Sequence, residues 1–163
     1  MVRIISIRVL FVLASIYKLY VHQINVKTTF LNEDLKEKMY MKQTKGFILP
    51  RNEKKICKLV KFLYGLKKAM KQWHEKFDKS IILNDFHHNS VNKCIYSQFT
   101  KDFGVIICLY VEYMLMFNID MIGIIEIKRY FNFIFKMKDL GEVDTILGIK
   151  VKKHISGYAF NQS

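Results

Sequence analysis

The sequence predicts an α+β fold in which helices cover one face of an antiparallel sheet. Its 163 residues are 51% hydrophobic, enough apolar material for the packed core of one domain. Segments with apolar residues at helical spacing alternate along the chain with segments whose apolar residues recur at every second position. The resulting order is helix, strands, helix, hairpin, helix, strands, which favours a mixed antiparallel arrangement.

The first helix and the first strand are predicted before residue 27. Apolar residues recur at helical spacing over residues 5–19, at Ile5, Val9, Val12 or Leu13, and Ile16. The following segment, VHQINV (21–26), alternates, so Asn25 projects from one face near the strand end while Ile24 anchors the other face.

The middle of the chain predicts an exposed strand, a loop and a second helix. KEKMYMKQ (36–43) alternates and is strongly charged, and GFILPRNEKK (46–55) has the glycine, proline and asparagine of a loop. Residues 68–83 predict an amphipathic helix with a Glu75–Lys79 pair on its polar side. Its apolar stripe consists of Ala69, Trp73, Phe77 and Ile81.

The second half predicts strands around a third helix. KCIYSQF (93–99) forms a strand, and GVIICLYVEYMLMF (104–117) is long enough for a hairpin whose tip lies near Val111–Tyr113. Asp120 is placed to cap the next helix, and two short strands follow around Ser156–Gly157. The inward residues of that helix are Ile124, Ile127, Phe131 and Ile134.

The charge of the chain is large and unevenly distributed. The formal net charge is +13, and residues 27–79 contain 15 Lys/Arg against 6 Asp/Glu, whereas residues 112–153 contain 7 against 6. A localised basic surplus indicates a polyanionic partner, with nucleic acid as the first candidate. The alternative is a solvated lysine-rich surface with no partner.

The cysteines, histidines and N-terminus contain no clear site or address. Three cysteines without a CxxC pair indicate buried thiols in a reducing compartment, so an intracellular location (cytoplasm or nucleus) is favoured over secretion. His87 and His88 point in different directions, so a polar turn over residues 84–92 is expected rather than a zinc site. The basic, apolar start resembles a signal peptide, but Arg8 interrupts it, and an internal helix with no membrane contact is expected.

Five segments carry a family likeness: SIRVL, VHQINVKTTFLN, CKLVKFLYGLKKAMKQWHEKF, CLYVEYM and MKDLGEVDTILGIKV. In this order and at about this spacing they resemble the reverse transcriptase domain of Copia-type LTR retrotransposons. The resemblance implies the palm of a right-hand polymerase with partial fingers, as a single partial domain over residues 1–163 without thumb, RNase H, protease or integrase portions. It further implies RNA-directed DNA polymerase activity with Mg²⁺, and RNA template, DNA primer, RNA–DNA hybrid and dNTP as partners.

The resemblance places the catalytic aspartates of the family at three substituted positions. The segment Asp-Val-Lys-Thr-Ala-Phe-Leu-Asn-Gly of the family matches a segment that begins at Asn25, and Tyr-Val-Asp-Asp-Met matches Tyr110-Val111-Glu112-Tyr113-Met114. Asn25, Glu112 and Tyr113 are therefore the candidate catalytic positions, and Glu112 is the remaining candidate metal ligand.

Three further residues are nucleotide-binding candidates through the resemblance. Phe30 matches an aromatic residue near the sugar of the incoming nucleotide, although a core aromatic is an equal interpretation. Gly65 and Lys67 match the segment LYGLK, which supports nucleotide and template in the family, while Met70 replaces the usual proline.

These substitutions predict the loss of polymerase activity. Two-metal phosphoryl transfer needs carboxylates that bridge the cations, whereas Asn25 offers a neutral oxygen and Tyr113 a bulky phenol. The favoured hypothesis is a degenerate, catalytically inactive reverse transcriptase domain. Two alternatives stay open: a residual non-specific nucleic-acid-binding module, and a secreted or membrane-surface basic protein.

Overall fold

The computed structural model describes residues 2–26, 38–48, 50–61, 67–101, 104–110, 113–135 and 137–162, with the backbone alone at 67–70 and 162. The helices in these ranges are α1 (Ile4–Ile16), α2 (Lys67–Ile82) and α3 (Met121–Phe135). The strands are β1 (Tyr20–Asn25), β2 (Tyr40–Lys42), β3 (Ile56–Lys58), β4 (His87–His88), β5 (Ile95–Phe99), β6 (Gly104–Tyr110), β7 (Tyr113–Asn118), β8 (Lys138–Glu142), β9 (Thr145–Ile146), β10 (Ile149–His154) and β11 (Gly157–Gln162).

The chain divides into two compact units, one formed by residues 1–27 and 77–163 and the other by residues 28–76. In the first unit, β4-β5-β6-β7-β1-β8 form a sheet in which every neighbouring pair is antiparallel, and β11-β10-β9 form a second antiparallel sheet. In the second unit, β2 pairs with β3. The predicted α+β class is confirmed.

The prediction that helices cover one face of the sheet is wrong, because helices pack on both faces. Phe117 of β7 meets Phe11 of α1, with ring centroids 5.5 Å apart. Met116, its neighbour in β7, points to the opposite face, where Tyr96 of β5 meets Phe77 of α2 at 5.6 Å. The central strands β1 and β7 are buried on both faces, so each face needs an apolar cover.

Helix α1 lies on the sheet by a different side from the one that its spacing suggested. The residues that recur at helical spacing, Ile5, Val9, Val12 and Ile16, are 54–66% exposed. The buried side consists of Ile7, Leu10, Phe11 and Ala14. Because the helix is apolar on all sides, its periodicity does not determine which side faces the sheet.

Helix α2 is buried as its pattern predicted. Trp73, Phe77 and Ile81 are each at most 2% exposed. On the polar side, Glu75 pairs with Lys71 at 3.9 Å, one turn before the predicted partner Lys79. The side chain of Ala69 lies outside the described residues.

Helix α3 begins where Asp120 was expected to cap it. The Ile122 N–H donates to Asp120 Oδ1 at 3.1 Å, and the Asp120 N–H donates to Asn118 Oδ1 at 3.0 Å. Gly123 leaves room for the Asn118 side chain, which a Cβ atom at that position would meet. The end of β7 is thereby fixed against the first turn of α3.

Two further expectations are settled by the strands. The predicted polar turn at residues 84–92 contains the short strand β4, in which His87 and His88 pair with Ser97 and Tyr96. The predicted C-terminal strands are confirmed as β10 and β11, joined at Ile155–Ser156, with Gly157 at φ +140°. Among the described residues, no helix combines the length and the apolar character needed to cross a bilayer.

Candidate active site

The candidate active site lies where β1 ends and β7 begins. Asn25 is the register partner of Tyr113, and Tyr113 is also the partner of Tyr110 across the β6–β7 pair. Directly opposed residues of antiparallel strands project to the same face. The structure therefore brings two of the three predicted catalytic positions side by side, although they are far apart in the sequence.

A cation, Lys138, extends this row on the other side of β1. Lys138 opens β8 and is the register partner of Asn25, and its side chain is exposed. The row Tyr110–Tyr113–Asn25–Lys138 therefore crosses four neighbouring strands, a span of about 14 Å at a strand spacing of about 4.8 Å. We refer to these four residues as the Asn25 row. Sequence reasoning missed Lys138, because only the non-local pairing of β1 with β8 places it next to Asn25.

The row is half-buried at its centre and rests on a firmly packed base. Asn25, Tyr113 and Tyr110 are of intermediate exposure, whereas Ile24 and Met114, one residue away from the row, are buried. Burial raises the pKa of Tyr110, so its phenol stays protonated at neutral pH. The row thus presents an amide, two tyrosine side chains and one ammonium group, and no carboxylate.

A hydrogen-bonded network fixes β1 from the opposite face. Lys128 Nζ of α3 lies 2.7 Å from His22 Nδ1 and donates to Asp139 Oδ1 of β8 at 2.6 Å. Burial and the positive charge of Lys128 lower the pKa of His22. Burial opposes ionisation of Asp139, but hydrogen bonds from Lys128 and the Gly141 N–H hold its pKa below its usual value.

These three residues line a cavity of about 560 Å³ behind the Asn25 row, between β1, α3 and β8. Its apolar lining includes Ile24, Ile124 and Met137. Sequence reasoning assigned no role to this network, since His22 and Lys128 are 106 residues apart. The network joins three elements and so holds in place the strand that carries Asn25.

Comparison with known proteins now gives the affiliation. A profile of the reverse transcriptase (RNA-dependent DNA polymerase) family matches residues 1–163. The chain belongs to this reverse transcriptase family. No solved structure matches the chain significantly.

Two relatives of this reverse transcriptase chain come from transposons. It is 39% identical over 151 residues to the retrovirus-related Pol polyprotein from transposon TNT 1-94 of Nicotiana tabacum. This aligned region is 92% of the chain and 11% of the polyprotein. It is 30% identical over 133 residues to a putative transposon Ty5-1 protein of Saccharomyces cerevisiae. This aligned region is 82% of the chain and 43% of that protein. The resemblance to Copia-type reverse transcriptases is confirmed, and the chain spans less than half the length of either relative.

Four of the predicted site residues of this reverse transcriptase chain lie wholly or partly outside the described residues. Glu112, Phe30 and Gly65 lie outside the described residues, and Lys67 opens α2 with its side chain outside them. Their predicted roles therefore stay predictions. Within the described ranges, no three His, Cys, Asp or Glu side chains form a group that could hold a metal ion.

Proposed function

We propose that the six-stranded sheet is the palm of a reverse transcriptase and that its active site no longer supports DNA synthesis. The observation that carries this proposal is the pairing of Asn25 with Tyr113. The family resemblance predicts aspartates at these two positions, and their adjacency supports the assignment of both to one site. On this proposal the architecture of the site persists while its acidic ligands are replaced.

The side chains that the row brings together do not fit a pair of magnesium ions. Mg²⁺ prefers hard anionic oxygens in near-octahedral geometry, and the row offers a neutral amide at Asn25, a phenol at Tyr113 and the ammonium of Lys138. Glu112, predicted to be adjacent, supplies one carboxylate where the family has three. A divalent cation here would meet one anionic ligand beside the positive charge of Lys138.

The expected cost to catalysis is large. Removing one well-placed electrostatic group from an active site typically costs about 10²–10³ in rate. Two of the three carboxylates are replaced by uncharged groups, and both losses concern the ligands that hold the metal ions. We therefore expect no measurable polymerase activity from this chain.

Primer extension tests this proposal. The chain, given an RNA template, a DNA primer and dNTPs, is expected to incorporate no nucleotide above a heat-denatured control, with either Mg²⁺ or Mn²⁺. The matched variant, Asn25→Asp/Glu112→Asp/Tyr113→Asp, restores the three aspartates that the family resemblance predicts at these positions. Incorporation by the unaltered chain contradicts the proposal.

A metal-binding measurement makes the restoration test informative even without activity. Mn²⁺ binding, followed by electron paramagnetic resonance, is expected to be undetectable for the unaltered chain and to appear in the triple variant. Tight Mn²⁺ binding by the unaltered chain that is lost on Glu112→Gln contradicts the dismantled site. A triple variant that binds no Mn²⁺ while keeping its circular dichroism spectrum contradicts the assignment of these three positions to one metal site.

A second candidate function, non-specific nucleic-acid binding, is supported by the basic residues of the second unit. Residues 38–61 contain eight Lys/Arg and a single acidic residue, Glu53. All eight basic residues are exposed: Lys38, Lys42, Lys45, Arg51, Lys54, Lys55, Lys58 and Lys61. Phosphate neutralisation by such a surface releases counterions, so affinity should fall linearly with salt on a log–log plot. Affinity for an RNA–DNA hybrid that is absent, or insensitive to salt, contradicts this candidate.

A further inference from the structure

One face of the β2–β3 hairpin in the second unit carries two lysines, one aromatic and one aliphatic side chain. Tyr40 is the register partner of Lys58, and Lys42 is the partner of Ile56. Because positions two apart on a strand share a face, these four side chains project together. We refer to Tyr40, Lys42, Ile56 and Lys58 as the Tyr40 face.

The four side chains of the Tyr40 face are exposed, and they alternate in character. Tyr40 is 55% and Ile56 60% exposed, which is unusual for large apolar groups of a paired strand. Tyr40 and Ile56 lie on one diagonal of the face, and Lys42 and Lys58 lie on the other, about 7–8 Å apart. An apolar platform is thus flanked by two ammonium groups.

The loop that joins the two strands is held by hydrogen bonds of its own. Gln43 Nε2 donates to the backbone oxygens of Asn52 at 2.6 Å and Lys55 at 3.0 Å. The Leu59 N–H donates to the Met39 oxygen at 2.8 Å and extends the pairing past the strands. The Tyr40 face is therefore preorganised by its own hairpin, which lowers the cost of ordering it on binding.

The charge around the Tyr40 face selects an anionic partner. Of the charged residues at 38–61, eight are basic, and the one carboxylate, Glu53, accepts a hydrogen bond from the Arg51 N–H at 2.9 Å. A platform for flat apolar groups beside ammonium groups fits a polymer whose bases and phosphates alternate. In a duplex the base faces are stacked on each other, so only an unpaired strand offers a base to Tyr40.

We propose that the Tyr40 face is a binding site for single-stranded nucleic acid, in which a base stacks on Tyr40 while Lys42 and Lys58 contact flanking phosphates. This proposal rests on the nucleic-acid binding proposed above. It adds that the Tyr40 face is the binding surface, that the bound strand is unpaired and that binding needs no divalent metal. Base stacking on an aromatic residue contributes about 1–3 kcal/mol per base and tolerates any sequence.

Fluorescence anisotropy of the full chain with labelled oligonucleotides in EDTA tests the site. Labelled oligo(dT) and oligo(U) are expected to bind more tightly than a DNA duplex of equal length. Tyr40→Thr, which keeps the preference for a strand and removes the ring, is expected to weaken single-strand binding about tenfold. Tyr40→Phe is expected to bind within about twofold of the unaltered chain, because the stacking surface remains.

Matched controls separate the face from general charge. Lys42→Gln/Lys58→Gln is expected to weaken binding and to reduce the salt slope by about 1.4, since each single-strand phosphate contact contributes about 0.7. Lys150→Gln/Lys152→Gln, two exposed lysines of β10, removes the same charge from the other unit and is expected to leave the slope unchanged. Tyr17→Ala, at an exposed tyrosine after α1, serves as the aromatic control.

The outcomes distinguish this site from the binding on which it rests. Salt-dependent binding that is equal for single strand and duplex, or unaffected by Tyr40→Thr, overturns the Tyr40 face and leaves non-specific binding in place. Absence of binding to any nucleic acid at low salt overturns both. A loss on Tyr17→Ala as large as that on Tyr40→Thr also overturns the site.

Discussion

At residue scale, the substitution at Asn25 changes both the charge and the hydrogen bonding of the site. An aspartate at this position would bring a negative charge next to Lys138, its register partner. Asn25 presents a neutral amide there, with an NH₂ donor that repels a cation. Asn25 and Lys138 together therefore favour an anion over a cation at the end of β1.

A second residue, His22, makes the stability of the same strand depend on pH. Burial and Lys128 lower its pKa below 6.5, so the unfolded chain binds a proton more readily than the folded one. The stability that neutral His22 contributes is fully present above about pH 6.5 and is lost as the pH falls from there to the folded pKa. The charged groups that face His22 are Lys128 of α3, Asp139 and Glu142 of β8, and Lys153 of β10.

Urea denaturation between pH 5 and pH 7.5 measures this contribution. The unaltered chain is expected to lose stability on acidification, and His22→Gln, whose amide oxygen can accept the hydrogen bond from Lys128, is expected to show a flatter profile. The lowered pKa of Asp139 lies below 3.8, so that group stays ionised over this range. His154→Gln, at an exposed histidine of β10, is the control, and a profile for His22→Gln that parallels the control contradicts the assignment.

At element scale, the success of sequence reasoning followed amphipathicity. Helix α2 has polar and apolar sides, so its burial at Trp73, Phe77 and Ile81 was predictable. Helix α1 is apolar all round, so the pattern gave the helix and left its orientation open. Strand β4 was missed because a two-residue strand is too short for alternation to show.

The candidate site was predictable in part. The alternation in residues 21–26 predicted β1, and the long strand segment at 104–117 predicted the hairpin that contains β7. The family resemblance supplied the expectation that Asn25 and Tyr113 share a site. The register β7-β1-β8 decides the rest, because it sets Lys138 beside Asn25 and the Lys128 network behind it. Such pairing depends on the packing of distant segments, which no local pattern contains.

At the scale of the whole molecule, the basic surplus and the proposed palm sheet lie mainly in different units. The basic surplus lies mainly in residues 27–79, and the proposed palm sheet lies in the other unit, where residues 112–153 are nearly balanced. The proposed loss of catalysis and the proposed nucleic-acid binding are compatible, because they concern residues of different units.

The exposed stripe of α1 (Ile5, Val9, Val12 and Ile16) is expected to limit the solubility of the folded chain. A continuous apolar stripe favours non-specific association, whereas isolated exposed residues do not. Val9→Gln/Val12→Gln is therefore expected to lower light scattering at rising protein concentration without changing net charge. The matched control Phe133→Gln/Ile155→Gln removes two isolated side chains that are 89% and 100% exposed. Since the control removes more exposed apolar surface, an equal fall in scattering in both variants would mean that total area, and not the continuity of the stripe, governs association.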